Sequence, residues 1–284
     1  MNDLANPRGS TLAAHERGNT DAYRIDPSAI RLLRPLLGSL TYLGIRTRGH
    51  RLPVYMYYDH GARDRIYGRT ISLRHARDWR GRQQTYEGHP GTDFVVPRGT
   101  RIVAPAAGIV RRVGAEPLGG NYLWIDHGGG YGTSYHHLSS SIVAVGQEVA
   151  RGDLLAYSGA SGWILTKYKP WIPPHLHFNL TINGLPIDPF PSATPWGYGA
   201  FWIGEADPRP WQGQPEKAAL LAMELRSKTE ALLLAKALDP VLFANYQNAM
   251  DFFAPDALSI AAAPLDCPVE LSLPFSATDF TGLA

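Results

Sequence analysis

The chain has 284 residues, 44% of them hydrophobic, and a formal net charge of +2 at pH 7. This length suffices for one generous domain or for one domain with sizeable flanking regions. The near balance of charge, without a dense block of Lys and Arg, gives nucleic-acid binding no electrostatic footprint. The single cysteine, Cys267, excludes an intrachain disulfide and a Cys-based zinc finger, and we expect it to be a small buried hydrophobic residue.

The first 84 residues predict one short helix and one strand. Asp26 is typical of an N-cap followed by proline, so a helix is predicted over residues 27–34 and is expected to end before Pro35. A strand is predicted over residues 52–58. The charged, Arg-rich stretch 59–84 is predicted to be a loop.

Two features of the N-terminal region concern the membrane. The N-terminus lacks the charged segment followed by an apolar segment that a Sec signal peptide has. The most hydrophobic early stretch, residues 35–45, contains Pro35, Gly38 and Gly44 and is too short to span a bilayer. We therefore expect no Sec signal and no transmembrane helix.

From Gly88 onward the sequence consists of short β-rich segments separated by Gly and Pro. The alternation of side chains is clear in residues 122–127. Further strands are predicted at residues 94–96, 101–104, 108–113, 131–138 and 154–158. This spacing predicts an antiparallel β core, closed or sandwiched.

The sequence changes again after Asp188 and Pro189. Residues 196–211 are aromatic and irregular, and amphipathic helices are predicted over residues 215–236 and 239–253, packed on the core or on a partner. The fold class is therefore a mainly β core with helical N- and C-terminal additions, α+β overall. We divide the chain into an N-terminal extension (1–84), a core domain (85–190) and a C-terminal region (191–284).

Two short histidine motifs are the candidates for chemistry. On a strand, His175 and His177 would leave the same face about 7 Å apart while Leu176 points into the core. His89 and Asp93 lie four residues apart on a predicted turn. Each motif alone is better explained by an ordinary surface or core histidine, but together they indicate a divalent-metal site.

Zinc is the metal considered first, because a catalytic zinc ion keeps three protein ligands and one position for water. His89, Asp93 and one of His175 and His177 supply such a set. The metal would lower the pKa of its water towards about 7 and polarise a carbonyl oxygen.

A further histidine is expected to transfer a proton or to stabilise the tetrahedral intermediate. His137, at the end of the predicted strand 131–138, is the natural partner. Its neighbour His136 must point to the opposite face of a regular strand. Periodicity alone leaves open which of the two faces the site.

An ordered set of motifs extends over roughly residues 85–190. The set is Gly88-His89-Pro90-Gly91-Thr92-Asp93-Phe94, Asn121-Tyr122, Ile125-Asp126-His127-Gly128, Tyr135-His136-His137-Leu138, Ser158-Gly159, Ser161-Gly162, His175-Leu176-His177-Phe178, Asn183-Gly184 and Asp188-Pro189. In this order the motifs resemble the lysostaphin/LytM-type zinc metallopeptidase family. The resemblance implies a small antiparallel β-sheet peptidase that binds one zinc ion and hydrolyses peptide bonds in the bridges and stems of bacterial peptidoglycan.

The resemblance also implies a role for each matched position. His89, Asp93 and His177 match the zinc ligands. His137 and His175 match the catalytic histidines. His136 falls at a variable position and is expected at the surface or the rim of the site. The histidines without a matched role are His15, His50, His60, His75 and His127.

The segment before the His-x-His pair departs from the family pattern. Relatives usually have a short Gly/Ser/Thr segment there, whereas residues 163–174 are long and aromatic. We expect Trp163, Tyr168 and Trp171 to form one wall of the cleft and to contact the glycan or the stem peptide. A purely structural loop is the alternative.

All five residues that match zinc ligands or catalytic histidines are present, which favours an enzyme, a zinc metalloendopeptidase. The alternative is a non-catalytic wall-binding or regulatory/structural module that keeps the fold. Such an enzyme acts outside the cytoplasmic membrane, in the periplasm or cell wall. With no Sec signal seen, we expect export by specialised secretion or phage-type delivery, as an effector toxin or lytic protein, and an immunity, inhibitor or delivery protein as a further partner.

Overall fold

The computed structural model describes residues 24–45, 50–61, 70–182, 185–190, 201–216, 225–226, 260–261 and 269–284. Its helices are a 3₁₀ helix (Pro27–Leu32), α1 (Pro35–Tyr42) and α2 (Trp163–Tyr168). Its strands are β1 (Arg24–Ile25), β2 (Arg51–Leu52), β3 (Val54–Met56), β4 (Thr70–Ile71), β5 (Thr92–Val95), β6 (Arg101–Val103), β7 (Gly108–Glu116), β8 (Gly120–Gly128), β9 (Tyr131–Ser141), β10 (Glu148–Val149), β11 (Leu154–Ser158), β12 (His175–Ile182), β13 (Leu185–Ile187), β14 (Leu225–Arg226), β15 (Ile260–Ala261) and β16 (Gly282–Leu283).

A ten-stranded sheet lies at the centre of the described fold. Its strands follow the order β10-β7-β8-β9-β12-β5-β3, while β11 pairs with β9 and β6, and β13 pairs with β12. Every one of these pairings is antiparallel. The predicted fold class, a mainly β antiparallel core that is α+β overall, is confirmed.

One face of this sheet is covered by a hydrophobic core. Phe94 on β5, Tyr135 on β9 and Phe178 on β12 are fully buried there, and each such ring contributes on the order of 2–3 kcal/mol through apolar burial. Phe275, from the C-terminal segment, packs edge-on against Phe94 at 5.6 Å between ring centroids. The core therefore also includes residues beyond 85–190. The three domain boundaries stay a prediction.

The N-terminal helix ends before Pro35 as predicted, and a second helix that was not predicted follows it. The Asp26 side chain accepts a hydrogen bond from the backbone N–H of Ser28 at 2.8 Å, as expected of an N-cap. The helix that it caps is a 3₁₀ helix that ends at Leu32, and Pro35 is the first residue of α1. Pro35 can begin α1 because its missing N–H costs nothing at the first helical position.

The first predicted C-terminal helix, over residues 215–236, is wrong where the structure describes it. Within residues 215–236, Glu216 forms an isolated bridge with Arg151, and β14 pairs with β15. Pairing with a distant segment replaces the local hydrogen bonds that the periodicity predicted. The second predicted helix, residues 239–253, and Cys267 lie outside the described residues. None of the helices in the described ranges has the length and apolar character needed to cross a membrane.

Candidate metal centre

Three metal-ligating atoms converge where β5 meets β12. His89 lies on the turn before β5, and Asp93 faces His177 across the strand pair. The Nε2 atom of His89 is 3.2 Å from Nδ1 of His177 and 3.3 Å from Oδ1 of Asp93, and that oxygen is 2.7 Å from Nδ1 of His177. Tetrahedral zinc with bonds of roughly 2.1 Å separates its ligand atoms by about 3.4 Å, close to the two distances that involve His89. The donor set therefore fits a zinc ion.

The orientation of His89 is set by residues of the N-terminal extension. Its Nδ1–H donates to the backbone carbonyl of Tyr57 at 2.7 Å, which leaves Nε2 unprotonated towards the cluster. The backbone N–H of Asp59 donates to the carbonyl of His89 at 2.9 Å. The Asp59 carboxylate accepts the N–H of Gly88 at 2.8 Å. The segment before residue 61 thus holds the turn that carries this candidate ligand.

The cluster favours an ionised Asp93 carboxylate beside a neutral His177 imidazole, whereas Asp93, acting against burial, raises the pKa of His89 above its ordinary value. Burial alone would raise the pKa of Asp93, but the surrounding histidines His89, His175 and His177 hold it well below its usual range. Burial lowers the pKa of His177 to about 4, against the opposing effect of Asp93. The ionised carboxylate and the neutral imidazole are the forms that bind a metal.

Two further histidines stand beside the cluster. His175 donates its Nδ1–H to the carbonyl of Pro173 at 2.8 Å, and His137 donates its Nδ1–H to the carbonyl of Ser161 at 2.9 Å. Their rings lie 4.8 Å apart, and the His137 ring is 6.1 Å from that of His177. Burial, reinforced by His175 and His177, holds the pKa of His137 well below its ordinary value. Both rings therefore keep Nε2 free for proton transfer.

A bulge in β9 brings both adjacent histidines to the cluster. Asn121 of β8 pairs with Leu138, and Leu123 pairs with Tyr135, so that two residues of β9 face one residue of β8. His137 has a positive φ of 60°. The extra residue and the left-handed backbone break the alternation of a regular strand.

Of the two predicted places for His136, the surface and the rim of the site, the structure gives it one beside the cluster and largely buried. It is paired with His177 in register, their ring centroids are 5.5 Å apart, and it is 7% exposed. A bulge leaves no distinct mark in a hydrophobic pattern, so the sequence could not reveal this position.

The aromatic segment before β12 packs on the N-terminal extension. Trp163 and Tyr168, at the two ends of α2, meet edge-on at 5.9 Å, while Trp171 is half exposed. The backbone N–H of Arg34 donates to the carbonyl of Trp171 at 2.7 Å, and the Tyr42 hydroxyl donates to the carbonyl of Leu165 at 3.3 Å. Substrate contact by the three aromatic residues stays a prediction.

Tyr55 and Glu116 are site neighbours that the sequence analysis missed. The Tyr55 ring lies 5.8 Å from that of His175, and its hydroxyl donates to the carbonyl of Leu32. The carboxylate of Glu116 lies 3.3 Å from His136. Tyr55 is brought there by the pairing of β3 with β5, which are distant in sequence, and Glu116 by the turn between the consecutive strands β7 and β8.

Comparison with known proteins identifies the central segment. Residues 87–189 match the profile of Peptidase family M23. The resemblance inferred from the motifs is confirmed. Together with the donor cluster, this match also confirms the prediction of a zinc site. Which residues hold the ion stays a prediction.

The curated relatives match only part of this chain. Peptidoglycan DD-endopeptidase ShyA of Vibrio cholerae serotype O1 is 39% identical over 100 residues, which are 35% of this chain and 22% of the relative. DD-carboxypeptidase/endopeptidase Mpg of Neisseria meningitidis serogroup B is 32% identical over 142 residues, 50% of this chain and 30% of the relative. A zinc-containing peptidase from Vibrio cholerae, of known crystal structure, is 30% identical, with 48% of this chain and 39% of that chain covered and a TM-score of 0.34. The chain thus spans less than a third of either named relative.

Proposed function

We propose that this chain is a zinc-dependent endopeptidase that hydrolyses peptide bonds in the cross-links or stem peptides of bacterial peptidoglycan. The observation that carries the proposal is the convergence of His89, Asp93 and His177, with His137 and His175 beside them. The match to Peptidase family M23 and the relatives that are named peptidoglycan endopeptidases support it.

Zinc would be held by Nε2 of His89, Oδ1 of Asp93 and Nδ1 of His177. When bound, the ion supplies a Lewis acid that acidifies water and polarises the scissile carbonyl. Asp93 also faces His175, with its second oxygen 3.7 Å from Nε2 of that ring. The single carboxylate therefore links the ligand set to one of the proposed catalytic histidines.

His137 and His175 would handle protons at their Nε2 atoms. Each ring is fixed by a hydrogen bond from Nδ1 to a backbone carbonyl, so that its free nitrogen is the only one able to accept a proton. A neutral ring takes the proton of the attacking water and returns it to the leaving amine. In its protonated form the ring stabilises the negative charge of the transition state.

The test is digestion of purified peptidoglycan, with mass spectrometry of the released fragments. We expect new peptide ends, loss of activity after chelation, and recovery when Zn²⁺ is restored. His75→Ala serves as the matched histidine control because His75 is exposed. Binding without any cleavage, at full zinc occupancy, would reject the enzyme in favour of a wall-binding module.

We also propose that the enzyme acts outside the cytoplasmic membrane, because peptidoglycan lies there. The delivery partner and the immunity or inhibitor protein remain part of this proposal. The chain is to be expressed in a Gram-negative host with and without an added periplasmic leader. Lysis that depends on both the leader and His177 is expected. Equal toxicity of the two forms would indicate an intracellular target instead.

A further inference from the structure

A partly exposed carboxylate lies near the cluster of His89, Asp93 and His177, on the side of β8 and β9. Oε1 of Glu116, the last residue of β7, lies 3.3 Å from Nδ1 of His136, and the ring of His136 lies 5.5 Å from that of His177. The Glu116 side chain is 27% exposed, whereas that of His136 is 9% exposed. The carboxylate is therefore the member of this pair that faces solvent.

A series of hydrogen bonds fixes the His136 ring between Glu116 and polar side chains of β9 and β12. The side-chain amide of Asn179 donates to the hydroxyl oxygen of Ser134 at 3.1 Å. That hydroxyl lies 3.1 Å from Nε2 of His136 and can donate to it, which leaves the ring hydrogen on Nδ1, facing Glu116. The ring of Tyr122 stacks on His136 at 5.8 Å. Oε1 of Glu116 is thus turned towards the ring.

The turn after β7 holds this carboxylate beside the proposed catalytic residues. A methyl group on Gly119 would lie 2.3 Å from Oε1 of Glu116 and 2.6 Å from Nδ1 of His136, so any larger residue in the turn would displace the pair from this arrangement. The carbonyl of the same glycine accepts the backbone N–H of His137 at 2.7 Å. One short turn therefore fixes both the carboxylate and a proton-transferring histidine.

The second oxygen of Glu116 is available to a ligand. Among the residues that the structure describes, no Lys or Arg pairs with Glu116, and Oε2 has no hydrogen-bond partner. The nearby arginines of β7 are engaged elsewhere: Arg111 pairs with Asp126 at 3.1 Å, and Arg112 lies over the ring of Trp124 at 5.5 Å. A fixed carboxylate with a free oxygen near the donor cluster attracts a cation.

We propose that Glu116, oriented by His136, binds an ammonium group of the substrate beside the scissile bond. In peptidoglycan the matching group is the free side-chain amine of the diamino acid in a stem peptide. This inference rests on the proposed function and names the substrate feature that the same site selects. Glu116 is thus a specificity-determining residue, and the zinc ligands and proton-transferring histidines act independently of it.

The experiment compares two forms of one substrate. Peptidoglycan whose stem peptides carry free amines is purified, and half of it is acetylated with acetic anhydride, which removes the positive charge. Initial rates on both forms are measured for the wild type, Glu116→Gln and Glu148→Gln. Glu148, on β10, is an exposed glutamate of the same sheet and is the matched control. Zinc content and circular dichroism establish that each variant is folded and loaded.

We expect the wild type and Glu148→Gln to cleave the amine form about tenfold faster than the acetylated form, as the loss of one charge-assisted hydrogen bond predicts. For Glu116→Gln the ratio of the two rates should be close to one. A tenfold preference that persists in Glu116→Gln would overturn the proposal, and so would a wild type without preference.

Failure of the proposed function gives a different result. If the zinc-loaded wild type cleaves neither form, the endopeptidase assignment falls, and the Glu116 site is tested by sedimentation with the two insoluble substrates. Stronger retention of the wild type than of Glu116→Gln on the amine form, with no difference on the acetylated form, supports the site. Equal retention on the amine form overturns it.

Discussion

The backbone carbonyl of Tyr57 lies 2.7 Å from Nδ1 of His89, although 32 residues separate them in the chain. This carbonyl forces the ring hydrogen onto Nδ1 and leaves Nε2 for the metal. Tyr57 precedes the segment that matches Peptidase family M23, which begins at residue 87. A part of the chain outside the family match therefore fixes the protonation of a candidate zinc ligand.

The first prediction concerns the ligand set. His177→Ala should purify folded but with little zinc, because losing one of three protein ligands opens a second coordination position. Metal content is measured by atomic emission on equal amounts of protein, with His75→Ala as the control that retains zinc. Full occupancy together with full activity in His177→Ala would show that another residue holds the ion.

The second prediction separates proton transfer from metal binding. His137→Ala should keep its zinc while losing roughly 10²–10⁴ in rate, the usual contribution of a positioned acid or base. The measurements are metal content and initial rates on peptidoglycan. Loss of zinc in this variant would place His137 among the ligands, and an unchanged rate would remove it from the mechanism.

The short motifs around His89 and His177 were enough to predict that His89, Asp93 and His177 lie together, and the structure brings them together. The sequence could not predict the environment of His136. Alternation along a regular strand places His136 and His137 on opposite faces, but the bulge and the positive φ of His137 bring both rings near His177. A bulge depends on how β8 and β9 pair, and that pairing is a property of two segments rather than of one.

The N-terminal helices are a second case in which local sequence did not determine the structure. Proline is compatible with both the end and the start of a helix, and Pro35 could be read either way from its neighbours. The structure begins α1 at Pro35, and Gly38 of this helix lies so close to the segment before β12 that a methyl group would be 1.9 Å from the carbonyl oxygen of Pro170. Pro35 has both roles here, since the 3₁₀ helix ends before it and α1 begins at it.

The third prediction concerns the aromatic segment. Replacing Trp163 and Trp171 by alanine should raise KM severalfold or change the fragment profile, if these rings form a wall of the cleft. Zinc content should stay unchanged, since neither residue belongs to the ligand set. Trp211→Ala is the control, because that ring packs on Arg151 near the C-terminal region. An unchanged KM and profile would support a purely structural loop.

The fourth prediction links acid sensitivity to His127, which is outside the site. This histidine is buried, donates its Nδ1–H to the carbonyl of Ala107 at 2.7 Å, and accepts at Nε2 from the hydroxyl of Thr133 at 2.8 Å. That hydroxyl in turn accepts from the hydroxyl of Tyr135 at 2.8 Å. Protonation would convert Nε2 into a donor and force this chain to reverse, which leaves the Tyr135 hydroxyl hydrogen without its acceptor, and burial lowers the pKa of His127 from 6.5 to about 4.

The sign of the effect follows from proton binding. As the pH falls through 6.5, the unfolded chain takes up a proton at His127, whereas the folded chain does not until the pH nears 4. The contribution of neutral His127 to stability is therefore present above pH 6.5 and is lost between pH 6.5 and about 4. The loss is about 1.4 kcal/mol per pH unit, about 3 kcal/mol in all.

His127→Gln should be less stable at pH 7 but should lose less stability on acidification. Urea unfolding at pH 7 and pH 4.5 measures this difference, in which the titration of the zinc-site histidines, common to both proteins, cancels. Equal acid losses in the two proteins would show that His127 is not the group that titrates.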